Sequence, residues 1–76
     1  MGRLQRTYEV RNGFGHLLTK HRMPARAVKS AQKERELSRT DPCIVCSDAR
    51  VRLDWRLDGR WWLMDLQSGK VLEQGP

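Results

Sequence analysis

Three dipeptides, Asn12-Gly13, Asp58-Gly59 and Ser68-Gly69, punctuate this 76-residue chain, each between strand-like runs. Asn-Gly and Asp-Gly favour the positive backbone φ angles that two-residue hairpin turns demand, so the spacing predicts three β-hairpins. After the first, Pro24 opens "PARAVKSAQKEREL", a Gly-free run of good helix formers that Asp41-Pro42 ends. Proline suits a first helical turn because its missing donor would be unpaired there anyway. The reading is an α+β fold in β-β-α-β-β-β order, with an antiparallel sheet of about five strands and one α-helix packed on one face. A chain this short makes one domain over residues 1–76 with a small core.

The segment "VRLDWRLDGRWWLMD" holds all three tryptophans. With Asp58-Gly59 as a two-residue turn, Leu57 faces Arg60, Trp55 faces Trp62, and Leu53 faces Met64. One face then carries Val51, Leu53, Trp55 and Leu57 beside Trp62, Met64 and Leu66, and should pack on the helix. Neighbouring Trp61 and Trp62 must point to opposite faces, so this register makes Trp55 and Trp62 core and leaves Trp61 outside. Trp61 can serve there as a stacking partner for Arg56, a cation–π pair worth about 0.5–1 kcal/mol. Alternatively it forms a contact surface with Leu63 and Leu72, since Trp and Arg are enriched at interface hot spots.

On the helix, Ala27, Val28 and Ala31 share one side, while Arg22, Arg26, Lys29 and Lys33 follow spacings of four, three and four on the other. The small inner face lets the helix approach the sheet closely. The basic ridge is either a solvated face or an electropositive docking surface. Its setting is uneven. Residues 1–40 carry ten Lys and Arg against three Glu, for +7; residues 41–76 carry five basic against six acidic groups, for −1. The basic excess includes Arg3 and Arg39 and points to an anionic partner.

His16, His21, Cys43 and Cys46 are the ligand types of a tetrahedral zinc site, and a small domain benefits from such a staple. The spacing argues against it: no Gly follows Cys46, and in a strand Cys43 and Cys46 point to opposite faces. His16 would pair across the first hairpin with Glu9. No cofactor is required, with zinc the one candidate. A disulfide between Cys43 and Cys46 does not suit a reducing cytosol, and a redox C-x-x-C belongs at a helix start. No Gly-rich phosphate loop, His-Glu metalloprotease pair or G-x-S-x-G occurs, and Asp54 and Asp65 have Arg52 and Arg56 beside them. The expectation is a protein that is not an enzyme.

A hydrophobic fraction of 38% and a charged fraction of 32% fit a globular module. No apolar run is long enough to span a bilayer. The N-terminus lacks the apolar stretch of a secretory signal, and Arg6 spoils a myristoylation motif at Gly2. The expected location is the cytoplasm. Two binding classes fit: a basic DNA- or RNA-binding module whose ridge tracks phosphates while Trp61 or Tyr8 stacks on a base, and an inhibitor or adaptor docking on a protein or nucleoprotein complex with an anionic surface. Either would use Arg22, Arg26, Lys29, Lys33, Arg56 and Trp61.

The succession of "TYEVRNGFGHLLT", "PARAVKSAQKEREL" and "VRLDWRLDGRWWLMDLQ" resembles the layout of small phage anti-CRISPR proteins, a sheet with a single helix. The resemblance covers most of the chain as layout and carries no signature motif. It implies a non-enzymatic inhibitor that binds a CRISPR surveillance complex and blocks nucleic-acid recognition. Many such inhibitors are acidic DNA mimics. A basic chain implies a different surface, one that competes for guide RNA, DNA or an acidic protein patch.

Overall fold

The computed structural model describes residues 6–38 and 40–76. Its elements are β1 (Tyr8–Arg11), β2 (Leu17–His21), α1 (Pro24–Ser38), β3 (Cys43–Cys46), β4 (Val51–Trp55), β5 (Trp61–Asp65) and β6 (Val71–Gly75). The α+β class and the broad element order are as expected. The sheet is not. In place of one sheet of about five strands there are two antiparallel sheets of three, ordered β2-β1-β3 and β4-β5-β6.

The division falls at residues 47–50. Ser47 donates its N–H to the Thr7 carbonyl at 2.9 Å and accepts the Thr7 N–H on Oγ at 2.9 Å, which extends the β1–β3 pairing by one residue. Asp48 then turns the chain: its Oδ1 accepts the Arg50 N–H at 3.0 Å and its carbonyl accepts the Val51 N–H at 3.2 Å. Ser and Asp compete for backbone donors in this way, so the chain bends before β4 can join β3.

α1 lies across β1, β2 and β3 and also touches β5, which brings both sheets onto one core. Pro24, Ala27, Val28 and Ala31 are its buried residues, the face expected from the spacing. They meet Tyr8, Val10, Val51, Leu53, Trp61 and Leu63, with Ile44, Cys46 and Trp55 packed around them.

The tryptophan register differs from the expectation by one residue. Trp55 pairs with Trp61, Asp54 with Trp62, and Leu53 with Leu63. The Arg56 N–H reaches the Arg60 carbonyl at 2.8 Å and the Gly59 N–H reaches the Arg56 carbonyl at 2.9 Å, so residues 57–59 form a three-residue loop. Gly59 closes it at φ 95°, a left-handed conformation that glycine adopts without steric cost. One residue of slip exchanges the faces of a strand. Trp61 is therefore core, only 6% exposed, and Trp62 turns outward to a half-buried position. Burying a side chain of this size stabilises by ~4–6 kcal/mol as an upper bound. Leu63, expected beside Trp61 on an outer patch, is fully buried, whereas Leu57 and Leu66, expected inside, are exposed.

The first hairpin uses the same three-residue device. The Asn12 N–H reaches the His16 carbonyl and the Gly15 N–H reaches the Asn12 carbonyl, both at 3.0 Å. This turn, together with a one-residue register shift between Val10 and Arg11, sets Glu9 opposite Lys20 rather than His16. The Glu9 carboxylate is instead bound by Arg11, with 2.6 Å to Nη2.

Candidate functional site

α1 follows β2 after a short turn and runs back alongside it, leaving a groove of about 630 Å³ lined by Thr19, His21, Arg26, Lys29, Ser30 and Lys33. Helical spacing puts Arg26, Lys29 and Lys33 in a row on one wall. Strand alternation puts Thr19 and His21 on the same side of β2, facing the helix. The two walls are joined by polar contacts: Ser30 Oγ lies 2.8 Å from Thr19 Oγ1, which lies 3.0 Å from His21 Nε2.

The electrostatics of this groove are one-sided, since no carboxylate is among its lining residues. Among the described residues, Arg6, Arg11, Arg35, Arg50, Arg52 and Arg60 each have a carboxylate within salt-bridge reach, and the ridge residues Arg22, Arg26, Lys29 and Lys33 do not. All four ridge residues are exposed. Three cations and the Ser30 hydroxyl on α1, with the Thr19 hydroxyl and the His21 imidazole across from them on β2, form a set of hydrogen-bond donors suited to an extended anion. Arg22 stands on the turn before α1, outside the groove lining. On the other side of the ridge, a second depression of about 400 Å³ joins Arg26 and Lys29 to Asp58, so its field is partly cancelled.

The remaining sequence candidates lie elsewhere. The Arg56 guanidinium is 5.7 Å from the centre of the Trp62 ring, so the expected cation–π pair exists with the neighbouring tryptophan. Trp61 has its ring in the core and offers no contact surface. Tyr8, the other proposed stacking residue, is 3% exposed, and burial first, then the charge of Cys46, pushes its phenol pKa up. The Leu63 and Leu72 patch does not form, because Leu63 is 1% exposed. Arg3, Arg39 and Gly2 lie outside the described residues.

Compared with protein-family models, curated proteins and solved structures, the chain matches none.

The His and Cys residues do not converge. Tyr8 stands between His21 and Cys46 in the ladder, placing them two strands apart, about 10 Å at ordinary strand spacing. His16 sits at the far end of the hairpin beside the loop. Cys43 pairs with Arg11, and both cysteines are free thiols. Among the described residues no group of three or more His, Cys, Asp or Glu side chains is placed to hold a metal ion. Nor, among the described residues, is any helix long and apolar enough to cross a membrane.

Sequence reasoning found one wall of the groove through the 4-3-4 basic spacing. It missed Thr19, His21 and Ser30. Their contribution depends on which strand lies beside the helix, and the short connection from β2 into α1 at residues 22–23 was the signal that these elements are neighbours.

Proposed function

We propose that this protein is a non-enzymatic binding protein that docks through the α1–β2 groove on the phosphate backbone of a nucleic acid, free or held in a nucleoprotein complex. The observation that carries this reading is the row of Arg26, Lys29 and Lys33 on α1, with the Ser30 hydroxyl on the same helix and the Thr19 hydroxyl across on β2, and no carboxylate in the lining. Cations held without counter-charges repel one another, and an anionic ligand relieves that repulsion. Phosphates match the geometry because both guanidinium and ammonium groups bind them, and hydroxyls complete their hydrogen bonding.

Fluorescence anisotropy with labelled DNA and RNA tests the proposal. Neutralising about three phosphates implies a loss of roughly 20- to 40-fold in affinity between about 50 and 200 mM salt. Joint substitution Arg26→Glu and Lys29→Glu should remove most of the binding while leaving the melting temperature nearly unchanged, since both side chains are exposed. Failure of the native protein to bind either polymer at the lower salt sinks the proposal.

A second reading is favoured by the Arg56–Trp62 pair. It lies on the face of β4–β5 turned away from the core, separate from the groove. An inhibitor that docks on a CRISPR surveillance complex, as the layout resemblance implies, would hold the protein component through this pair and compete for guide RNA or target DNA through the groove. Such docking would be less sensitive to salt than binding to naked nucleic acid.

A further inference from the structure

A phosphate groove alone does not distinguish single strands from duplexes, and the aromatic side chains decide that question. Tyr8 and Trp61 are core. The most exposed aromatic side chain is Phe14, at 79%, in the loop between β1 and β2. That loop is tightly tied. Asn12 Oδ1 accepts the N–H groups of Phe14 at 2.9 Å and His16 at 3.0 Å, and Arg11 Nη1 donates to the Gly15 carbonyl at 2.8 Å. Gly15, at φ 85°, completes the turn. The turn chemistry is supplied by Asn12, Gly15 and Arg11. The Phe14 side chain takes no part in it and is presented outward on a backbone that these bonds hold.

The loop also lies beyond one end of the groove, past the helix C-terminus. α1 runs antiparallel to β2, with Ser30 beside Thr19, and a Cβ on Gly13 would lie 3.3 Å from the Thr40 Cβ just past the helix C-terminus. The Lys33 end of the groove is thus the end that leads toward Phe14.

We infer that Phe14 is a stacking platform for an unpaired nucleobase, so that the nucleic acid held by the groove is single-stranded. The inference rests on the groove being a phosphate-binding surface. A strand whose backbone follows the cations can turn one base onto the Phe14 ring. In a duplex the base faces are covered by their neighbours, and reaching one costs unstacking energy. Stacking tolerates any base, so the resulting preference is for strandedness rather than sequence.

The test measures affinity of the full chain for a poly(dT) oligonucleotide of about 15 residues and for its duplex with poly(dA). The native protein should prefer the single strand. Phe14→Ala should weaken single-strand binding roughly fivefold or more and leave duplex binding within about twofold, while Phe14→Trp retains the preference. Because the side chain is exposed, the melting temperature of Phe14→Ala should equal that of the native protein, which separates lost contact from lost fold. Binding that survives Phe14→Ala unchanged, or weakens equally on both probes, overturns the stacking role and leaves the groove standing. Absence of binding to both probes by the native protein at low salt overturns the groove and this inference together.

Discussion

Trp61 and Gly75 face each other across β5 and β6, and the indole ring occupies the space a side chain on Gly75 would need. A Cβ built on Gly75 would fall 2.7 Å from Trp61 Cζ2 and closer still to Nε1 and Cε2. The last strand is thereby a lid on the buried tryptophan. Gly75→Ala should destabilise the fold by about 1–3 kcal/mol through overpacking, lowering the melting temperature by several degrees or more. The same change in a Trp61→Phe background should cost clearly less, because the smaller ring vacates the clash. Equal costs in the two backgrounds, measured by denaturant unfolding, would rule out direct contact as the cause.

This lid also shows where the sequence stops being informative. The strands were legible from their turn dipeptides and the helix from Pro24 and the buried trio Ala27, Val28 and Ala31. The placement of Trp61 was not. Asp58-Gly59 is compatible with a two-residue turn and with the last two positions of a three-residue loop, and the two choices put opposite faces of β5 in the core. What decides is tertiary: the loop that exists allows Trp61 and Leu63 to meet α1, and Gly75 makes room for the larger ring. The split of the sheet at Ser47 and Asp48 was hidden for a related reason. The turn bonds of Asp48 are local, but the β1–β3 pairing that stops there ends on Ser47 with Thr7, 40 positions away in sequence.

Asp48 joins the N-terminal segment to the turn between the sheets. Its Oδ1 accepts the backbone N–H of Arg50 at 3.0 Å and the Arg50 guanidinium at 3.2 Å, and its Oδ2 lies 3.2 Å from Arg6 Nε. The Arg50 backbone bond first, then the Arg50 side chain, hold the carboxyl pKa at about 2, below the ordinary 3.8. A depressed carboxylate contributes stability that is present above the unfolded pKa and is lost as pH falls through the folded value. The melting temperature should therefore decline between about pH 4 and pH 2. Asp48→Asn should show a shallower acid decline from a lower starting point; an unaltered slope would assign acid sensitivity to other carboxylates.

At the alkaline end the reporter is Tyr8, the chain's one tyrosine. Burial raises its pKa above the ordinary 10.0, with Cys46 adding to the shift and Arg6 opposing it. A raised phenol pKa contributes stability that is intact below the unfolded value and is lost as pH rises toward the folded one. The midpoint of tyrosinate absorbance should therefore lie above the ordinary 10.0 and accompany loss of tertiary structure. Tyr8→Phe removes the ionisation, so its alkaline unfolding should begin at higher pH relative to its own neutral stability. Ionisation at the ordinary value with the fold intact would place the phenol in water.

The Arg56–Trp62 pair separates local stability from partner binding. The guanidinium sits over the ring on the side of β4–β5 remote from the groove, and Arg56 is exposed. An exposed cation–π contact is worth about 0.5–1 kcal/mol, so Arg56→Ala should lower stability by no more than that. Its effect on DNA or RNA affinity should be far smaller than that of Lys29→Glu, because Lys29 lines the groove and Arg56 does not. A nucleoprotein partner changes the expectation. If the pair grips the protein component of such a complex, Trp62→Ala weakens binding to the assembled complex and spares binding to its naked nucleic acid, which titration of both with the same variant would reveal. Equal loss on the two ligands would instead place Trp62 on the nucleic-acid path and merge the two surfaces into one.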